Sequence, residues 1–350
     1  LMKKLPLQSF SFFFAGSPLR KSADSDYPFF TNRNFFYLTG IEEQDAVLLL
    51  TKTAHSEKEI LLIRDIDETL EKWHGAYIRP RQAMEISGIN TIEFLSSFDG
   101  YFDRPLNFYE ITTIGIDNDV ASLQGQRLAA DEFADKLHSR LAAYPLFNTF
   151  GLVAGMRTIK SAAEVEAIKA GAVLTHHALE DVVRLMAPGK NERELAAAFH
   201  YHLEREGGSP TFTTIMAGGA NSCTLHYISN DHEVSDGDVL LCDLGGALQG
   251  YGADISVTYP VNGTFTERQA AVYEVVLDCF KAVKAAARPG LTMADLNALT
   301  NRKLAEGMIA LGLIKDASEF RKYYFHSVSH SLGLDTHDIG FTESTGHLHC

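Results

Sequence analysis

Residues 239–261 place the strongest constraint on the fold of this chain, because they contain two β-strand patterns joined by a glycine-rich turn. The first run is apolar except for Asp243, and the second alternates apolar and polar residues up to a proline, whose missing N–H ends ladder pairing. If Leu248 and Gln249 form the tip of this hairpin, Asp243 faces Asp254 directly. Directly opposed residues of an antiparallel pair point to the same face, with Cβ atoms about 5 Å apart.

Two carboxylates at that distance repel each other, and burying either ion alone is costly. Such a pair persists where a proton or a metal cation lies between the two groups. The stretch therefore indicates a metal or acid/base site. The alternative is a register slipped by one residue, which sends the two aspartates to opposite faces. Leu-Gln is also not a favoured two-residue turn.

The charge of the chain limits its partners. The net charge is −14 and the pI is about 5.4, whereas the phosphate backbone of a nucleic acid requires a basic footprint. No apolar run approaches the ~20 residues of a transmembrane helix. We therefore expect neither a nucleic-acid nor a membrane partner.

The cysteines indicate the compartment. Four cysteines occur without a CxxC pair, which fits buried thiols in a reducing compartment better than a disulfide framework. We expect a cytoplasmic location. The alternative is a signal peptide, because Lys3 and Lys4 precede a short apolar segment. Residues 10–14 of that segment are equally typical of a buried first strand.

The 350 residues suggest about two domains. Residues 1–150 alternate short apolar runs with helical patterns, which predicts an α/β layer domain. From residue 151 the predicted helices are long and begin with capping boxes. Strand patterns in the first part cover residues 10–14, 46–51, 59–63 and 112–116, and a helical pattern covers 127–142.

The second part contains an internal repeat. Pro188-Gly189 followed by Asn191 recurs as Pro289-Gly290 followed by Thr292, roughly 100 residues later. A helix–helix–strand unit that occurs twice predicts two pseudo-symmetric halves, with sheets inside and helices outside. The counterpart of the aspartate hairpin would begin near residue 344, where no strand pair is evident. We therefore expect a second half that is incomplete at the C-terminus.

A histidine cluster follows the repeat. His326, His330 and His337 lie within twelve residues, and Asp338 is adjacent. The first two have the i, i+4 spacing of a helical zinc pair, but no glutamate follows His326, so the HExxH pattern does not apply. We predict that one of these histidines is a metal ligand. The alternative is a polar loop whose histidines bind backbone groups.

Together these motifs resemble the Xaa-Pro aminopeptidases, which are metallopeptidases of the "pita-bread" family that also contains prolidase. The resemblance covers roughly residues 20–342. The motifs, in the order of that family, are Asn32-Arg-Asn-Phe-Phe-Tyr-Leu-Thr-Gly40, Trp73-His-Gly75, Met156-Arg-Thr-Ile-Lys-Ser161, His226-Tyr227, the Asp243/Asp254 hairpin and the segment from His326 to Asp338.

The resemblance implies an α/β creatinase-like domain over residues 1–150 and an α+β pita-bread catalytic domain over residues 151–350. It implies two divalent metal ions, with Mn²⁺ favoured and Co²⁺, Zn²⁺ or Fe²⁺ as alternatives. The implied reaction is hydrolysis of the peptide bond between an N-terminal residue and a proline. Relatives are dimers or tetramers, so a homo-oligomer is expected of the full-length protein.

The resemblance also implies roles for individual residues. Asp243 would be a terminal metal ligand, Asp254 a bridging ligand and His330 a third ligand. The histidines that would contact the scissile carbonyl and the proline side of the substrate, and relay protons, are His226, His326 and His337.

The family has two further ligands, both glutamates, in a Glu-Pro-Gly strand and a final strand that this sequence lacks. We therefore expect an incomplete second metal site and an inactive chain. The alternatives are a non-catalytic binding module on the same scaffold and a prolidase that cleaves Xaa-Pro dipeptides.

Overall fold

The computed structural model describes residues 1–107, 110–119 and 127–340. The chain divides into two compact units, Leu1–Arg157 and Thr158–Cys350. None of the helices in the described ranges combines the length and the apolar character needed to cross a membrane.

The first unit is built on one mixed sheet. Its elements are β1 Ser9–Phe14, β2 Arg20–Ser22, β3 Ser25–Asp26, α1 Arg33–Thr39, β4 Val47–Lys52, β5 Glu57–Ile63, α2 Glu68–His74, α3 Pro80–Ser87, β6 Thr91–Phe94, α4 Phe98–Asn107, β7 Thr113–Ile116, α5 Ala129–Arg140, β8 Leu146–Asn148 and α6 Phe150–Arg157. The strand order of the sheet is β6-β5-β4-β1-β7-β8, and the central strand β1 pairs antiparallel with β4 and parallel with β7. The four predicted strands and the predicted helix are confirmed, with ends that differ by one or two residues.

The phenylalanine run at the start of the chain forms the interior of this sheet. Phe10 and Phe12 pack into one hydrophobic cluster and Phe13 into another, and all three are fully buried. A strand covered on both faces is apolar on both faces, which explains the near-continuous run.

A set of three buried polar side chains joined by hydrogen bonds also stabilises the first unit. The amide Nδ2 of Asn34 donates to both carboxylate oxygens of Asp117, at 2.9 and 3.1 Å, and its Oδ1 accepts from Arg157 at 2.9 Å. All three residues are buried. Burial raises the pKa of Asp117 to about 6, against the opposing effects of the Asn34 hydrogen bond and the Arg157 charge.

The second unit packs helices against two small sheets. Its elements are α7 Ala162–Leu185, α8 Glu192–Arg205, β9 Ser209–Pro210, β10 Ile215–Gly218, β11 Val239–Leu244, β12 Gly246–Leu248, β13 Tyr251–Gly252, β14 Ile255–Pro260, α9 Glu267–Ala286 and α10 Met293–Ala310. The strand orders are β10-β11-β14 and β13-β12-β9. One hydrophobic cluster joins α7 and α8 to β10, β11, β12 and β14.

The hairpin of residues 239–261 is confirmed, but its predicted register is wrong. Asp243 pairs with Ser256, and Leu248 pairs with Tyr251. The tip is therefore Gln249-Gly250, where both residues have positive φ, 52° and 80°. This is the geometry of a type I′ turn, which the glycine favours.

The correction leaves the two aspartates on the same face. The partner of Asp243 moves by two residues, from Asp254 to Ser256, and side chains alternate with a period of two. Asp254 therefore becomes the diagonal neighbour of Asp243 instead of its direct partner.

The helical part of the predicted repeat is visible in the structure. Capping boxes begin α7, α8, α9 and α10, at Ser161, Asn191, Thr266 and Thr292 respectively. After α10, the described residues 311–340 contain a short 3₁₀ helix and no strand. The predicted start of a second hairpin, near residue 344, lies outside the described residues.

Candidate metal centre

Asp243, Asp254 and His330 come together in the second unit. The Nε2 atom of His330 lies 3.0 Å from Oδ2 of Asp254. Asp243 is half-buried, and its Oδ1 accepts a hydrogen bond of 2.8 Å from the Ser256 hydroxyl on the paired strand. The structure therefore brings His330 and Asp254 into direct contact and places Asp243 within electrostatic range of both.

The hydrogen bond at Nδ1 of His330 determines the tautomer of the neutral ring, and therefore whether Nε2 donates or accepts. Nδ1 lies 3.1 Å from the backbone carbonyl of Ser331. A carbonyl only accepts, so Nδ1 must carry a hydrogen and donate it. In the neutral ring, Nε2 then presents a lone pair to the carboxylate of Asp254, and these two acceptors repel each other unless a proton or a metal cation lies between them.

This donor set fits a divalent metal ion. Two ligand atoms that are each about 2.1 Å from one ion, at roughly a right angle, lie about 3 Å apart, as Nε2 and Oδ2 do. A histidine ligand typically donates its other ring N–H to a carbonyl or carboxylate, as His330 does to Ser331. Carboxylates with one imidazole suit Mn²⁺ or Zn²⁺.

The electrostatics around Asp243 agree with a cation site. Burial raises the pKa of Asp243, and the nearby charge of Asp254 raises it further. The hydrogen bond from Ser256 lowers it, as do the charges of His226 and His330.

The other two predicted histidines occupy different places. The ring of His337 lies 4.2 Å from that of His330, measured between centroids, and is exposed. His326 is exposed as well, but its ring packs on Tyr324 at 4.4 Å, and its Nδ1 lies 2.8 Å from the Ser327 carbonyl. It lines a separate cavity of about 510 Å³ beside α10.

Sequence patterns did not reveal the residue that anchors the loop carrying His226. Glu192, at the start of α8, is fully buried, and its carboxylate accepts four hydrogen bonds. The donors are the backbone N–H groups of Gly218 (2.7 Å) and His232 (3.0 Å), the Asn221 amide (3.0 Å) and the Tyr227 hydroxyl (2.8 Å). These groups span the loop between β10 and β11.

Glu192 also lies close to Asp231 and His232, a grouping that could hold an ion. Its carboxylate already has a donor for each lone pair, so the loop-anchor role accounts for its burial without a cation. Burial and the hydrogen bond to Glu192 raise the pKa of Tyr227 to about 12, which keeps its hydroxyl protonated as a donor. The sequence identifies Glu192 only as the residue that follows the N-cap Asn191, and does not predict its burial or its hydrogen bonds.

Comparisons with known proteins agree with the fold and identify the family. The family model of metallopeptidase family M24 matches residues 166–348, and that of the aminopeptidase P N-terminal domain matches residues 1–113. An Xaa-Pro aminopeptidase of Escherichia coli is 30% identical over 358 residues, which cover 97% of this chain and 79% of that protein.

Solved structures agree as well. A Bacillus anthracis structure described as an aminopeptidase P is 36% identical, with a TM-score of 0.96 over 99% of this chain and 83% of that one. A zinc-substituted E. coli aminopeptidase P in complex with product is 29% identical, with a TM-score of 0.86 over 97% of this chain and 80% of that one.

These matches define the class of protein: the chain belongs to metallopeptidase family M24. Within that family its relatives are the Xaa-Pro aminopeptidases, and both predicted parts of the fold, the creatinase-like domain and the pita-bread domain, are confirmed. The family is one of metallo-aminopeptidases, which implies divalent metal ions.

Proposed function

We propose that this chain is built to hydrolyse the peptide bond between an N-terminal residue and a proline at the second position, with a divalent metal centre at Asp243, Asp254 and His330. The observation that carries the proposal is the arrangement of His330, whose Nδ1 is bound to a carbonyl while Nε2 faces Asp254 at 3.0 Å. The relatives named above support the substrate class.

The metal centre is proposed to hold two ions, with Mn²⁺ favoured and Co²⁺, Zn²⁺ or Fe²⁺ as alternatives. Asp254 would bridge them, Asp243 would be a terminal ligand and His330 would complete the set. When bound, a divalent metal supplies Lewis-acid chemistry, which polarises a carbonyl and makes water acidic near neutral pH.

The remaining residues would bind the substrate. His226 and His337 are exposed beside the ligands and are proposed to donate hydrogen bonds to the scissile carbonyl and to relay protons. The two aspartates would attract the positively charged N-terminal amine of a peptide, which favours cleavage from that end. The proposed substrate role of His326 requires a path from its own cavity beside α10 to this centre.

The experiment measures metal and turnover separately. The chain is dialysed against Mn²⁺ and its metal content measured by elemental analysis, and arginine release from Arg-Pro-Pro is compared with release from Arg-Ala-Pro. His330→Ala should lose the metal and any turnover. His176→Ala, an exposed histidine on α7, is the matched control and should retain both. Equal metal content in wild type and His330→Ala would contradict the proposed centre.

The same assay separates the alternatives. Bound Mn²⁺ without arginine release would agree with the prediction of an inactive peptidase, whereas a chain that binds no metal would favour a non-catalytic binding module. Release from a dipeptide such as Gly-Pro, but not from Arg-Pro-Pro, would identify a prolidase. The proposed homo-oligomer is tested by light scattering, and the cytoplasmic location stays a prediction.

A further inference from the structure

A buried ion pair lies behind the histidine segment. The Nζ atom of Lys160 is 2.6 Å from Oδ2 of Asp338, and the side chains are 14% and 1% exposed. Lys160 precedes Ser161, the N-cap of α7, whereas Asp338 follows the last of the clustered histidines. A cationic partner stabilises a buried carboxylate, so the pair ties the two segments together.

Asp338 is connected to His330 through one carbonyl. The backbone N–H of Asp338 donates to the Ser331 carbonyl at 3.0 Å. The same oxygen accepts from Nδ1 of His330 at 3.1 Å. Ser331 therefore holds the imidazole on one side and is held by Asp338 on the other. A shift of Asp338 would move the carbonyl that sets the direction of Nε2.

Gly333, which lies between Ser331 and Asp338 in the sequence, packs closely against the ion pair. The position of a Cβ on Gly333 would overlap Oδ2 of Asp338 and lie 3.0 Å from Cε of Lys160, so a side chain there would displace the ion pair. The carbonyl of Gly333 accepts from the N–H of Gly252 at 3.3 Å, two residues before Asp254. This hydrogen bond ties the segment that carries the ion pair to the backbone just before Asp254, one of the proposed ligands.

We propose that Lys160 and Asp338 are positioning residues, whose ion pair fixes the Ser331 carbonyl and thereby holds the imidazole of His330 beside Asp254. Neither residue belongs to the proposed set of metal ligands, so each would act through His330. The inference rests on the proposed function only in taking His330 as a metal ligand.

Mn²⁺ affinity of the full chain tests the proposal, measured by isothermal titration calorimetry. Asp338→Asn removes the charge but leaves the backbone donor to Ser331. Loss of a group that orients a ligand typically weakens metal binding roughly 10- to 100-fold, which is the result expected for Asp338→Asn. Lys160→Arg preserves the ion pair and should bind Mn²⁺ nearly as tightly as the wild type.

A matched control removes another short contact of the same unit. Asp181→Asn breaks the 2.6 Å contact between Asp181 and Nδ1 of His202, which lie on α7 and α8. It makes the same chemical change as Asp338→Asn, so it reports any general effect of destabilising the unit. Equal Mn²⁺ affinities for Asp181→Asn and Asp338→Asn would overturn the proposal.

A second readout needs no metal. The ring resonances of the chain, labelled selectively at histidine, are recorded by NMR without metal, and the His330 signal is assigned by its loss in His330→Ala. Asp338→Asn should shift or broaden that signal, whereas Asp181→Asn should leave it in place. An unchanged His330 signal in Asp338→Asn overturns the positioning role. A wild type that binds no Mn²⁺ contradicts the proposed function instead.

Discussion

Ser256 faces Asp243 directly across the β11–β14 ladder, and its hydroxyl donates to Oδ1 of that aspartate at 2.8 Å. The pairing occupies the position that the sequence-based register assigned to Asp254. A hydroxyl there orients one carboxylate oxygen of Asp243. The structure therefore gives Asp243 a supporting donor where the sequence predicted a second ligand.

Removal of this donor should weaken metal binding. For Ser256→Ala we expect a roughly 10-fold loss of Mn²⁺ affinity, because the group that orients a ligand is lost while all three proposed ligands remain. Thr258→Val removes a hydroxyl two residues along the same strand and should leave the affinity unchanged. The measurement is a calorimetric titration with Mn²⁺, and identical affinities for the two variants would exclude an orienting role for Ser256.

The loop anchored by Glu192 should respond to the loss of one of its four donors. Tyr227→Phe removes the hydroxyl that donates to Glu192 at 2.8 Å, and an under-satisfied buried carboxylate costs about 1–3 kcal/mol. We expect faster amide hydrogen exchange over residues 219–232 and unchanged Mn²⁺ affinity, since the proposed ligands lie outside that loop. Tyr273→Phe on α9 serves as the control. Unchanged exchange in Tyr227→Phe would show that the hydroxyl does not stabilise the loop.

Gly245 connects β11 to β12 where backbones approach closely. A Cβ there would lie 1.9 Å from the Ala253 carbonyl oxygen and 2.4 Å from Oγ1 of Thr211, so Gly245→Ala must displace backbone. Such overpacking typically costs 1–3 kcal/mol, and the midpoint of urea unfolding should fall accordingly. Gly155→Ala, in α6, meets no atom within 4 Å and should be neutral or stabilising. An unshifted midpoint for Gly245→Ala would contradict the close approach.

Local patterns predicted the parts of the fold that depend on local chemistry. The apolar run at Phe10 and the capping boxes at Ser161 and Thr292 are confirmed because burial and capping act over a few residues. The hairpin register was wrong by two residues, because the choice of tip depends on positive φ at Gln249 and not on apolar alternation.

Only part of the candidate site could be predicted from the sequence, for a different reason. His326 and His330 stand in similar local sequences, and only the tertiary structure brings one of them to Asp254. Lys160 meets Asp338 across 178 positions of the chain, a pairing that no periodicity encodes. The carboxylate pair could be predicted because its two members lie on one hairpin.

The buried Asp117 should make the stability of the first unit depend on pH. Burial raises its pKa from 3.8 to about 6 in the folded chain, so the folded state binds this proton more tightly than the unfolded state does. The resulting stabilisation is fully present below pH 3.8 and is lost as the pH rises through about 6. Its size is on the order of 3 kcal/mol, from the difference between the two pKa values.

Asp117→Asn should remove this dependence, because an amide stays neutral and its carbonyl oxygen still accepts from Asn34. The stability of the first unit is measured between pH 4 and pH 8 by amide hydrogen exchange of β1, which pairs with β7 just before Asp117. The exposed Asp24→Asn is the control and should keep the wild-type profile. If Asp117→Asn and the wild type lost stability equally between pH 4 and pH 7, the buried carboxyl would not be the source of the dependence.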